Sequence, residues 1–171
     1  SGSNDKGYSG DDASHRDSGW DITLEATSDV TGVDGLTIWG GISEVSQRVD
    51  QSCISGDAEE MTVGIKYATG GFTFGYQVSE EETGRTGVTK YDNNAYGITF
   101  AVNDDLSIGY NHYESDGAGN AADVEASAIQ VSYTMGGATI NIAEASMDNA
   151  KYQTAAANDR DATTIAVSLA F

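Results

Sequence analysis

The residue types that usually carry chemistry are few in this chain of 171 residues: one cysteine, Cys53, two histidines, His15 and His112, and eight Lys and Arg in all. Covalent catalysis needs a nucleophile with a base in reach, and a metal needs a cluster of spaced ligands. Cys53 has no Lys or His close in sequence to lower its pKa and reads as a small loop residue. His15 lies in an N-terminal stretch rich in turn formers, and His112 sits at the end of an alternating segment between Tyr110 and Tyr113. No phosphate-binding glycine motif, metal spacing or nucleophile–base pair is present, so an enzyme is not expected. What repeats instead is polar chemistry at every second position. Asp21, Glu25, Lys66, Gln77, Asn111, Gln130 and Asn141 each oppose an apolar residue one step away. Such residues do not react; they line a surface that water or ions can follow.

Charge narrows the partners. Twenty-seven Asp and Glu against eight Lys and Arg give a formal charge of −19, which repels a phosphate backbone and excludes nucleic acid. The same excess concentrates cations near the protein and predicts a cation preference for any aqueous path along it. The acidic stretches "GDAEE" at 56–60, "EEE" at 80–82 and "NDRD" at 158–161 have the oxygen chemistry calcium uses. None has an EF-hand spacing. They read as solvated loops, with calcium left open as a ligand between molecules and no other cofactor expected.

The elements that must position these residues show period-two alternation throughout. Nine strands are expected, near 18–28, 36–47, 60–69, 71–79, 94–103, 105–114, 125–135, 138–147 and 162–171. Residues 1–17 read as a loop. One face of each strand is apolar, as in Phe72, Phe74, Tyr76 and Val78; the other is small or polar, as in Thr73, Gly75 and Gln77. Proline is absent and glycine is abundant, which suits long ladders joined by glycine turns. Tight turns at 69–71, 103–105 and 136–137 alternate with long acidic connections near 48–59, 80–93, 115–124 and 148–161. That rhythm describes a transmembrane, antiparallel up-and-down β-barrel, all-β, with strands of about ten residues. Aromatics sort by depth: Tyr67, Phe72, Tyr133 and Phe171 fall near the tight turns, and Trp20, Tyr96 and Tyr110 toward the loops, as interfacial girdles do. The competing reading is a secreted or surface β-sandwich, an adhesin or structural module, whose apolar faces would meet in a dry core.

Nine antiparallel strands cannot close without two parallel neighbours, and an open edge in hydrocarbon leaves backbone groups unpaired at several kcal/mol each. The expectation is therefore that residues 1–171 form the C-terminal part of a longer barrel, entered within an external loop at 1–17.

The stretches "YGITFAVNDDLSIGYNHYES", "GGFTFGYQVS", "MGGATINIAEAS" and the terminal "ATTIAVSLAF" resemble the C-terminal half of general porins, particularly the Rhodobacter-type porins of alphaproteobacteria. The resemblance implies a sixteen-stranded barrel in the bacterial outer membrane, assembled as a homotrimer among lipid and lipopolysaccharide, passing small hydrophilic solutes and ions down their gradients. Seven further strands would make a protein of roughly 300 residues. It also implies that the terminal stripe Ile165, Val167, Leu169 and Phe171 is the signal read by the barrel-assembly machinery. In that family a loop after the third strand forms the constriction, so no constriction residue carries over to this stretch. Lys66, the only base within an expected strand, would either face such a loop or snorkel at the rim.

Overall fold

The computed structural model describes residues 16–49, 53–87 and 89–169. His15, most of the 1–17 stretch and Phe171 lie outside the described residues. The described residues form one sheet of nine strands in sequence order, each antiparallel to the next. The strands are β1 (Arg16–Ala26), β2 (Leu36–Gln47), β3 (Ala58–Thr69), β4 (Phe72–Glu82) and β5 (Lys90–Ala101). They continue with β6 (Leu106–Gly117), β7 (Val124–Met135), β8 (Ala138–Asp148) and β9 (Arg160–Leu169). A sandwich needs a second sheet, and there is none among these residues.

Turn chemistry sets the register. Gly70 and Gly71, with φ of 55° and 85°, join β3 to β4 in the left-handed conformation that a two-residue hairpin requires. Between β5 and β6 the Asn103 side-chain oxygen accepts the backbone N–H groups of Asp105 and Leu106, both at 2.9 Å. A one-turn helix, α1 (Ser28–Thr31), fills the β1–β2 connection. That connection closes at Gly35 (φ 75°), where a Cβ would stand 2.0 Å from the Ala68 carbonyl oxygen.

The strands are staggered as well as paired. One hydrogen-bonded row starts at Leu36, the first residue of β2, and passes through Tyr67, Phe74, Ile98, Tyr110, Ile129 and Glu144 to Thr163. Thr163 lies six residues short of Leu169, where β9 ends. With about 3.3 Å per residue and about 4.8 Å per strand, that drift tilts the strands by roughly 30°, near the tilt of membrane barrels.

Burial follows. Only Ile54 and Val124 are buried hydrophobic residues among those described, and both are at the loop end, Ile54 in the β2–β3 connection and Val124 at the first position of β7. Phe74 is 44% exposed and Ile129 is 57% exposed. Among the described residues, no layer of protein packs on the apolar side chains of the strands.

Two boundary expectations are corrected. Glu80, Glu81 and Glu82 are paired residues of β4, and Glu59 of β3, rather than loop residues, and Glu60 is the strand residue that the expected range 60–69 makes it. Lys66 is also not the sole strand base, since Lys90 opens β5 and Arg160 opens β9. In both cases the hydrogen-bonded ladder continues past the point where apolar residues stop.

Candidate functional site

The cross-strand pairing decides which side chains share a face. The polar face of β1 and β2 carries Asp21 opposite Ser43 and Glu25 opposite Trp39. Across β2 to β4 the same face carries Lys66 opposite Thr37, Glu60 opposite Ser43, and Gln77 opposite Gly64. Farther on, Asn111 pairs with Gly97, Gln130 with Gly109, and Asn141 with Ser132. All seven residues picked from the alternation (Asp21, Glu25, Lys66, Gln77, Asn111, Gln130 and Asn141) are therefore on one face of one sheet. The opposite face carries the apolar stripe, including Ile165, Val167 and Leu169 of β9, paired with Ile142, Ile140 and Ala138.

The polar face is a wall, not a cleft around a reacting atom. An open groove of about 460 Å³ runs along it past Asp21, Ser43, Glu60, Thr62, Gln77 and Glu81. Three of those carboxylates lie on one row, in which Asp21 pairs with Ser43, Ser43 with Glu60 and Glu60 with Glu81. Glu60 and Glu81 stand directly opposite each other, an arrangement that costs energy unless cations or water screen it.

At the loop end the β8–β9 connection folds over this same face. Tyr152 reaches Ser115 of β6, hydroxyl to hydroxyl at 2.8 Å, and its ring lies 5.4 Å from that of Tyr91. Ser115 and Tyr113 both donate to the Asn93 side-chain oxygen, Tyr113 at 2.8 Å. Burial pushes the Tyr152 phenol up, against a weaker opposite pull from its hydrogen bond to Ser115. The connection is held in an unusual backbone, with Asn149, Lys151 and Tyr152 all at positive φ.

The apolar face has its own order. Near the tight turns Phe72 stacks on Phe100 at 4.4 Å and on Phe74 at 6.0 Å. At the other boundary the Tyr96 ring lies 5.0 Å from His112 and 6.3 Å from Tyr110. Beyond that boundary the same face turns acidic. Glu44, Glu59 and Glu82 form one row, Glu80, Asp92 and Asp116 a second, and Glu114, Glu125 and Asp148 a third. Lys90 relieves part of this charge by pairing with Glu80 at 2.8 Å and Asp92 at 3.6 Å. Among the described residues, no group of His, Cys, Asp and Glu is arranged to hold a metal ion. Cys53 is exposed, with its carbonyl accepting the Thr86 N–H at 3.1 Å.

Sequence reasoning missed Trp39, Glu60 and Glu81 on the polar face. Glu81 falls in the acidic stretch 80–82 that reads as loop, and Glu60 stands where the acidic stretch 56–60 meets the strand expected from 60. Trp39 hides in "IWGG", where two apolar residues are followed by two glycines and alternation is unreadable. Counting parity back from Ile42 would have found it.

The family described as Gram-negative porin matches residues 1–151. No curated protein sequence matches the chain. Among solved structures, a triply substituted porin from Rhodobacter blastica is similar, with 16% identity and a TM-score of 0.40, over 86% of this chain and 53% of its own. The chain thus spans about half the length of that porin.

Proposed function

The chain belongs to the Gram-negative porin family and so to the bacterial outer membrane, and on that premise we propose that it forms part of the wall of a water-filled pore for passive diffusion of small hydrophilic solutes and ions. The observation that carries this reading is the division of one sheet into an apolar face with no protein core on it and a polar face of Asp, Glu, Asn, Gln and Thr side chains. Only lipid on one side and water on the other satisfy both faces at once.

The β1 and β9 edges are unpaired within the described sheet, and further strands of a longer protein would close them, sixteen in all by the family resemblance. A homotrimer follows from the same resemblance. The outward acidic rows lie where lipopolysaccharide headgroups and their divalent counterions, calcium included, would sit. Ile165, Val167, Leu169 and Phe171 would be read by the assembly machinery.

Asp21, Glu25, Glu60 and Glu81 outnumber Lys66 and Arg160 on the polar face, which supports a preference for cations. The test is the reversal potential of the intact porin in a planar bilayer under a KCl gradient. The expected sign is that of K⁺ permeation, weakened in a Glu60→Gln/Glu81→Gln variant. A reversal of the chloride sign rejects the preference.

A further inference from the structure

Trp39 is the one tryptophan on the polar face among the described residues; Trp20 pairs with Glu44 on the other. Its indole fills the space a side chain at Gly64 would take, with Cζ2, Cε2 and Nε1 between 2.2 and 2.8 Å from where that Cβ would stand. The ring is thus laid across β3 instead of projecting away from the sheet, and it stays partly exposed. Glu25 stands directly opposite it on β1, and Gln77 flanks Gly64 on β4. Thr23, Gly41 and Thr62, its neighbours on the same face, border the acidic groove that contains Asp21, Glu60 and Glu81.

An indole gives its face to a cation more readily than any other side chain, and it does so best when the cation is poorly hydrated. Potassium keeps its water; a quaternary ammonium has no hydrogen-bonding shell to lose. From this juxtaposition we propose that Trp39 and Glu25 form a weak binding subsite for organic cations, such as alkylammonium groups, on the pore wall. The inference rests on the reading of this face as the water-filled side. The indole face holds the methyl groups around the nitrogen, and Glu25 neutralises the charge. Attraction of this kind raises occupancy by roughly 2- to 30-fold, which retains a solute without trapping it, as conduction requires. Lys66, on the same face two residues along β3 from Gly64, is the built-in competitor: its ammonium repels a cation arriving at the ring.

The experiment uses the intact porin in planar bilayers, with K⁺ current measured as tetramethylammonium chloride is added. The expected result is saturable inhibition of the K⁺ current. The half-inhibiting concentration rises about fivefold in Trp39→Leu, changes little in Trp39→Phe, and falls about twofold in Lys66→Gln. Folding of each variant is checked by its heat-modifiable migration. If Trp39→Leu does not fold, Lys66→Gln decides alone. Inhibition that is absent, or equal in wild type and both the Leu and Gln variants, overturns the subsite while leaving the pore intact. Trp39-dependent inhibition by sucrose but not by tetramethylammonium also overturns it, in favour of a neutral-solute platform. A protein that passes no K⁺ current refutes the pore itself, and the subsite with it.

Discussion

Gly64 shows how a single residue can set the surface of a wall. A methyl group there meets the Trp39 indole at 2.2 Å, so the ring must swing off β3 and lose its contact with the strand. Gly64→Ala should therefore destabilise the folded protein by about 1–3 kcal/mol, the usual cost of overpacking, as read from urea unfolding in lipid vesicles. An unchanged midpoint would mean that the ring does not rest there. Tyr152 makes a second residue-level prediction. Burial raises its phenol above the ordinary value of 10.0, so the folded protein favours the neutral form more than the unfolded chain does. The stability it contributes is whole below pH 10.0 and is lost as pH rises through the folded-state pKa. The tyrosinate absorbance difference between wild type and Tyr152→Phe should have its midpoint above 10.0, and a midpoint at or below 10.0 would count against the packed loop. Alternation places Gly64 on the polar face, but the partner that each of these residues meets depends on register and on the loop fold. Trp39 lies in a stretch without alternation, and Tyr152 finds Ser115 only through the fold of the loop between β8 and β9.

At the scale of elements, every expected strand exists, because alternation over ten or more residues is a signal that neighbouring context does not erase. The tight-turn ends fall within a few residues of expectation: glycine and Asx turns are encoded locally, at Gly70–Gly71 and at Asn103. The loop ends do not. Glu59, Glu80 and Glu82 read as loop in the sequence because charge replaces apolar character there, yet the backbone ladder does not need apolar side chains to continue. Hydrophobicity marks where the lipid band ends, and hydrogen bonding marks where the strand ends. These two limits differ by several residues in β3, β4 and β5. The extension carries an electrostatic cost, with Glu59 facing Glu44 on one side and Glu82 on the other. Glu59→Lys converts two repulsive cross-strand pairs into attractive ones and should stabilise the protein by about 0.5–1 kcal/mol at low salt. The gain should fade in 1 M salt, where screening is nearly complete. A gain that salt does not touch would point to packing instead of charge.

At the scale of the whole molecule, the central fact is where the core is missing. A chain of this length that folded in water would bury a continuous apolar layer, whereas here Ile54 and Val124 are the buried hydrophobic residues among those described. The division into faces was legible in the sequence, because a period of two needs no knowledge of the partner strand. The stagger that tilts the strands was not legible, since register depends on pairs far apart in the chain. The most direct measurement is a thiol scan along β7 of the intact porin in lipid vesicles, with Cys53 first replaced by serine. Single cysteines at Ala128, Ile129, Gln130, Val131, Ser132 and Tyr133 are then offered a charged, membrane-impermeant maleimide and a lipid-dissolved quencher of a thiol-linked dye. The account predicts strict alternation: positions 128, 130 and 132 react with the water-borne reagent, and 129, 131 and 133 are quenched from the lipid. Uniform reactivity, or alternation of the opposite phase, would contradict it.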